Sequence, residues 1–92
     1  MNGKLKSAVF NTMIKLKVRY YGMLTDIAGC SEEEIRIDPE STVGTLQNLL
    51  NSRYPTFSSV PVVYFSGSRK WETGQNLTEG MEIECMPPFS GG

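Results

Sequence analysis

The sequence predicts an α+β fold, a mixed sheet with one main helix packed on one face. Short stretches alternate apolar and polar residues as half-buried strands do, and one stretch carries apolar residues at helical spacing. In chain order they read strand, short helix, strand, long helix, strand, turn, strand, tail.

The first strand is read from Met13, where Ile14, Leu16, Val18 and Tyr20 alternate with Lys15, Lys17, Arg19 and Tyr21. Leu24 to Gly29 suits a short helical turn, which Gly29 can end because glycine adopts the left-handed conformation cheaply. Alternation resumes from Glu33 to Ile37 and stops at Asp38-Pro39. The main helix starts at Ser41 or Thr42, either able to cap free N–H groups, and runs through Val43, Leu46, Leu49 and Leu50 towards Arg53. Pro55 ends it, because the residue before proline is pushed out of the helical region.

Val60 to Phe65 reads as a strand, and Ser66-Gly67-Ser68 as a tight turn into Lys70, Trp71 and Glu72. After a turn at Thr78-Glu79-Gly80 comes a last strand, Met81 to Met86, with Ile83 and Cys85 facing the core. The expected core is Ile14, Leu16, Val18, Ile35, Ile37, Val43, Leu46, Leu50, Val63, Ile83 and Cys85. The expected organisation is an N-terminal extension over residues 1–12, a folded domain over 13–86 and a tail over 87–92.

Composition narrows the functions available. A chain of 92 residues buries only about 60–65% of its unfolded surface, so a deep cofactor pocket would compete with core packing. With 9 basic and 10 acidic residues, the chain lacks the positive field of a nucleic-acid binder. There is no histidine, which removes the commonest general base and metal ligand. Cys30 and Cys85 form no CxxC or zinc spacing and read as reduced structural thiols of a cytoplasmic protein. No apolar run reaches the roughly 18–20 residues of a membrane span, and Ala8-Val9-Phe10 is too short for a signal peptide.

Chemistry is expected at the end of the chain, which reads Pro87-Pro88-Phe89-Ser90-Gly91-Gly92. Two glycines let a chain enter a narrow channel with its carboxyl carbon unshielded. The two prolines can launch the tail away from the sheet, since each fixes φ and neither donates a ladder hydrogen bond. A Gly-rich end is also an ordinary flexible tail by composition.

Leu77-Thr78-Glu79-Gly80-Met81-Glu82, the alternating strand after it and the Pro-Pro-x-x-Gly-Gly ending together resemble the MoaD/ThiS ubiquitin-like sulfur carriers. Within that family the chain looks most like molybdopterin synthase small subunits. The resemblance runs from about Ile14 to Gly92 and includes Tyr20-Tyr21, the Leu24-to-Gly29 turn and the Val43-to-Leu50 helix. Met81 departs from the pattern, standing where a polar residue is frequent.

The resemblance implies a β-grasp fold and a protein co-substrate rather than an enzyme, with no bound cofactor or metal. A ubiquitin-activating-like adenylyltransferase would use ATP and magnesium to adenylate the Gly92 carboxylate, and a persulfide sulfur donor would displace AMP, giving a thiocarboxylate. Gly91 would thread the channel with Gly92, and Pro87, Pro88, Phe89 and Ser90 would lie along the partner's groove. The expected acceptor is a large molybdopterin synthase subunit. The alternatives are sulfur supply to thiazole or cysteine synthesis, or a ubiquitin-like modifier forming isopeptide bonds through Gly92.

Tyr21 and Met86 have the outward parity of strands that the resemblance sets side by side, and are expected to form an apolar docking patch beside the tail. Lys15, Lys17 and Arg19 are expected to pair with Glu82 and Glu84 across the same face. The acidic run Glu32 to Glu34 reads as a solvated face. Trp71 can anchor the edge hairpin or meet a partner.

Overall fold

A computed structural model describes residues 12–88. Residues 1–11 of the expected extension, and Phe89, Ser90, Gly91 and Gly92 of the expected tail, lie outside the described residues. The elements are β1 (Ile14–Tyr20), α1 (Met23–Ala28), β2 (Glu32–Ile37), α2 (Val43–Arg53), a 3-10 helix (Pro55–Ser59), β3 (Val63–Ser66), β4 (Arg69–Trp71) and β5 (Glu82–Met86).

The strands form one sheet in the order β2-β1-β5-β3-β4. The central pair, β1 and β5, is parallel, and the other pairings are antiparallel. Parallel neighbours require a crossover. Here α2 lies within the long connection between them, and its buried residues Val43, Leu46 and Leu50 join Leu16, Val18, Ile35, Ile83 and Cys85 in one core. Burying a leucine of this kind contributes about 1.5–3 kcal/mol.

The punctuation works as the local chemistry requires. Thr42 caps α2 through a reciprocal pair with Thr45, each side chain accepting the other's backbone N–H. Gly29 ends α1 at φ 79. Between β3 and β4, Gly67 and Ser68 both take positive φ, as a two-residue hairpin loop with the sheet's twist demands.

The structure corrects the sequence reading in four places. The third strand starts at Val63 rather than Val60, and it presents Tyr64 to the core while Val63 is half-buried on the opposite face. Tyr64 lies opposite Cys85 on one side and Trp71 on the other, which fixes that parity. The first strand ends at Tyr20, one residue before Tyr21. A 3-10 helix follows Tyr54 directly and buries Phe57. Trp71, for which the sequence leaves two roles open rather than one to correct, packs partly against the core and anchors the hairpin.

The fourth correction concerns Glu33, which is not part of a solvated run. Glu33 faces Val18 across the β1–β2 ladder. Its carboxylate accepts hydrogen bonds from the hydroxyls of Tyr20 at 2.5 Å and Tyr54 at 2.6 Å, and meets Arg53 Nη1 at 3.2 Å. The rings of Tyr20, Tyr54 and Phe57 stack at centroid separations of 5.4 to 6.1 Å beside it. This cluster ties the end of α2 and the 3-10 helix to β1 and β2. Burial, then the bond to Glu33, pushes the Tyr20 hydroxyl well above its ordinary pKa.

Candidate functional site at the root of the tail

The outer face of the sheet changes character along its strands. At the end where β1 begins, Lys17, Glu34 and Glu82 occupy neighbouring positions. Arg19 Nη1 meets Glu82 at 3.1 Å, while Arg19 Nε and Lys17 Nζ meet Glu32 at 3.3 and 3.9 Å. The expected pairing across this face is therefore present for Arg19 and Glu82, with Glu32 as a further partner. These side chains are a third to a half exposed, and pairs of this kind contribute little, about 0–1 kcal/mol.

At the other end the face is apolar. Met86 lies opposite Val63, and Phe65 opposite Glu84. Val63, Phe65, Met86, Pro87 and Pro88 line a shallow groove of about 180 Å³. The chain runs along β5, beside the parallel β1, and leaves the sheet through this groove at Pro87-Pro88. The groove and the root of the tail are one surface.

Tyr21 stays alongside, because its N–H donates to the Cys85 carbonyl at 3.1 Å. Tyr20 lies level with Cys85 on the core side, so Tyr21 follows with outward parity, level with Met86. Tyr21, Met86 and Pro87 are half-buried and Pro88 is exposed. The structure thus brings together the residues singled out from parity and adds Val63 and Phe65, which the sequence reading missed through its one-residue error in β3.

Two further features border the root. Gly22, between β1 and α1, takes φ 59 and ψ −138, and a methyl group on it would come within 3.2 Å of Pro87 Cγ. Next to it Met23 is 52% exposed, the large apolar side chain most open to solvent among the described residues.

No reactive thiol adjoins this site. Burial pushes the Cys85 thiol up to about 12, with the Glu33 charge adding to the effect, and Cys30 is raised by the same two causes. Among the described residues no group of His, Cys, Asp and Glu is placed to hold a metal ion, and no helix is long and apolar enough to cross a membrane. The groove is apolar, and the described residues around it do not assemble a nucleophile and base.

Comparison with solved structures identifies the architecture. A Pyrococcus furiosus protein described as molybdopterin converting factor, subunit 1, superposes with a TM-score of 0.78 at 23% identity, covering 83% of this chain and 99% of that one. The small archaeal modifier protein 1 of Haloferax volcanii gives 0.74 at 19% identity, over 83% of this chain and 99% of that one. The ubiquitin of Caldiarchaeum subterraneum gives 0.59 at 17%, over 87% and 99%. No family model and no curated sequence matches the chain. At these identities the likeness establishes the fold, which is the ubiquitin-like β-grasp expected from the resemblance.

Proposed function

We propose that this chain is a sulfur carrier of the MoaD/ThiS kind, a protein co-substrate whose working group is the Gly92 carboxylate. The observation that carries the reading is the coincidence of tail and contact surface: β5 delivers the chain through an apolar groove directly into Pro87-Pro88. In the carrier reading an activating enzyme and a sulfur-accepting subunit both grip the apolar end of the sheet while the tail reaches a distant active site. The domain supplies affinity and the tail supplies the reacting group.

The chemistry follows from the electrophile. A carboxylate resists attack until it has a leaving group, so ATP adenylates it and releases pyrophosphate. A persulfide then attacks the acyl carbon and expels AMP, and a thiol cleaves the resulting acyl disulfide to leave the thiocarboxylate. The partners supply those catalytic groups. A molybdopterin synthase is the proposed acceptor, in keeping with the printed description of the Pyrococcus protein.

A second reading has a specific observation behind it, the likeness to small archaeal modifier protein 1. A modifier shares the fold, the activation step and the glycine tail, and differs only in what attacks the adenylate. The experiment is to incubate the full chain with its activating enzyme, ATP, magnesium and a persulfide donor, with and without a lysine-bearing acceptor protein. Free thiocarboxylate in the intact mass spectrum supports the carrier. Glycyl-lysine cross-links without any thiocarboxylate would replace it with the modifier.

A further inference from the structure

We infer that Gly22 is a positioning residue for the tail: the bare backbone at the β1–α1 corner is the seat on which Pro87 rests, and it sets the direction in which the tail leaves the sheet. The inference rests on the carrier reading. It concerns a residue 65 positions from Pro87 that belongs to neither the sheet ladder nor the tail.

Two independent features disfavour any other residue here. At φ 59 and ψ −138 the backbone of Gly22 is in a region that is essentially glycine-only. In addition, an L-side-chain Cβ there would sit 3.2 Å from Pro87 Cγ and 3.7 Å from Cδ. By contrast Gly29, at φ 79 at the other end of the same helix, has open space where its Cβ would go. The two glycines share backbone strain as a reason for being glycine, and only Gly22 touches the root of the tail.

The backbone that carries the Pro87 ring is held on both sides. Its φ is fixed by the ring, Met86 before it is held opposite Val63, and Pro88 after it lines the groove with Val63 and Phe65. The corner beneath is equally tied. Tyr21 N–H is bonded to the Cys85 carbonyl at 3.1 Å, Thr25 N–H to the Gly22 carbonyl at 3.1 Å, and the Thr25 hydroxyl to the Tyr20 carbonyl at 2.9 Å. A methyl group at Gly22 therefore acts on the direction of the chain at Pro87. The direction set at Pro87 is the one from which the path towards Gly92 starts. Misplacing a reacting atom by 1 Å can cost about 10²-fold in rate.

The test compares Gly22→Ala with Gly29→Ala. Adenylation of each is followed by pyrophosphate exchange with the activating enzyme, and thermal unfolding is recorded alongside. Both variants are expected to lose stability through positive φ. Only Gly22→Ala is expected to lose kcat, by about tenfold or more, with KM within about twofold because the docking surface is intact. Equal kcat in the two glycine variants would overturn the positioning role.

A measurement on the unaltered protein stands apart from any folding defect. An NOE between Gly22 Hα and the Pro87 ring protons is expected, and its absence would overturn the proposal. The two proposals fail separately. An unaltered chain that is never adenylated defeats the carrier reading, whereas normal adenylation of Gly22→Ala defeats only the seat.

Discussion

The two faces of the sheet follow different rules. On the inner face β1, β2 and β5 contribute a run of buried apolar side chains, among them Ile14, Leu16, Val18, Ile35, Ile83 and Cys85, and α2 packs its own against them. On the outer face the chemistry switches midway, from ion pairs around Lys17, Arg19 and Glu82 to the groove of Val63, Phe65, Met86 and Pro87. A face under selection for solubility alone would stay charged throughout. The switch occurs where the chain departs towards Gly92, the end that the carrier reading assigns to contact, while the inner face holds the core.

The largest test of this contrast is Leu46→Ala on the inner face. Leu46 is fully buried, and its truncation should cost about 2–5 kcal/mol in urea unfolding. An unchanged midpoint would mean that α2 does not seal the sheet. Glu33→Ala comes next, at about 1–3 kcal/mol, because two tyrosine hydroxyls lose their acceptor at the margin of the same core. A loss as small as that of an exposed ion pair would return Glu33 to the solvated run.

Alkaline pH probes the inner face in another way. Folding raises the Cys85 thiol from 9.0 to about 12, so the folded protein holds that proton where the unfolded chain releases it. The associated stability is complete below pH 9.0 and is lost as pH rises towards 12. Tyr20 and Tyr64, also raised by burial, add losses above pH 10.0. In Cys85→Val the decline between pH 9.0 and 10.0 should be shallower, with Cys30 the thiol that remains, read from unfolding midpoints across that range. An identical decline in both proteins would show that Cys85 is not sheltered.

The smallest effects on stability belong to the outer face, and there the contrast sharpens. Phe65→Ser and Glu82→Gln should each shift stability by no more than about 1 kcal/mol. Binding to the activating enzyme should separate them: Phe65→Ser should weaken it about tenfold, the scale of a lost apolar anchor, and Glu82→Gln should leave it nearly unchanged. Equal effects on binding would erase the distinction between the two ends.

Where the sequence was legible, alternation made it so. In β1 and β5 each apolar residue is flanked by a charged one, and both strands came out in the right phase. Around β3 the run Val60-Pro61-Val62-Val63-Tyr64-Phe65 is apolar throughout and carries no parity of its own. The pairing of Tyr64 with Cys85 sets it, and with it the membership of Val63 and Phe65 in the groove.

Glu33 could have been found, because it shares the inward phase of Ile35 and Ile37 and was hidden only by its acidic neighbours. Phe57 stands among serine, threonine and proline with no periodic signal. Gly22 was beyond reach, since its role depends on a proline brought to it by the parallel β1–β5 pairing. The proposed working end, Phe89 to Gly92, is read from the sequence alone, and the fold contributes the direction in which the chain leaves the sheet at Pro87.

The carrier reading holds that the folded domain and the reacting end are separable parts. It is tested most directly by loading three forms of the protein side by side: the full chain, a form lacking Gly92 and a form extended by one residue beyond it. Each is incubated with the activating enzyme, ATP, magnesium and a persulfide donor, and its intact mass and unfolding temperature are then measured. All three should unfold alike, because β5 ends at Met86, and only the full chain should gain the mass of one oxygen exchanged for sulfur. Equal loading of the full and shortened chains would contradict it.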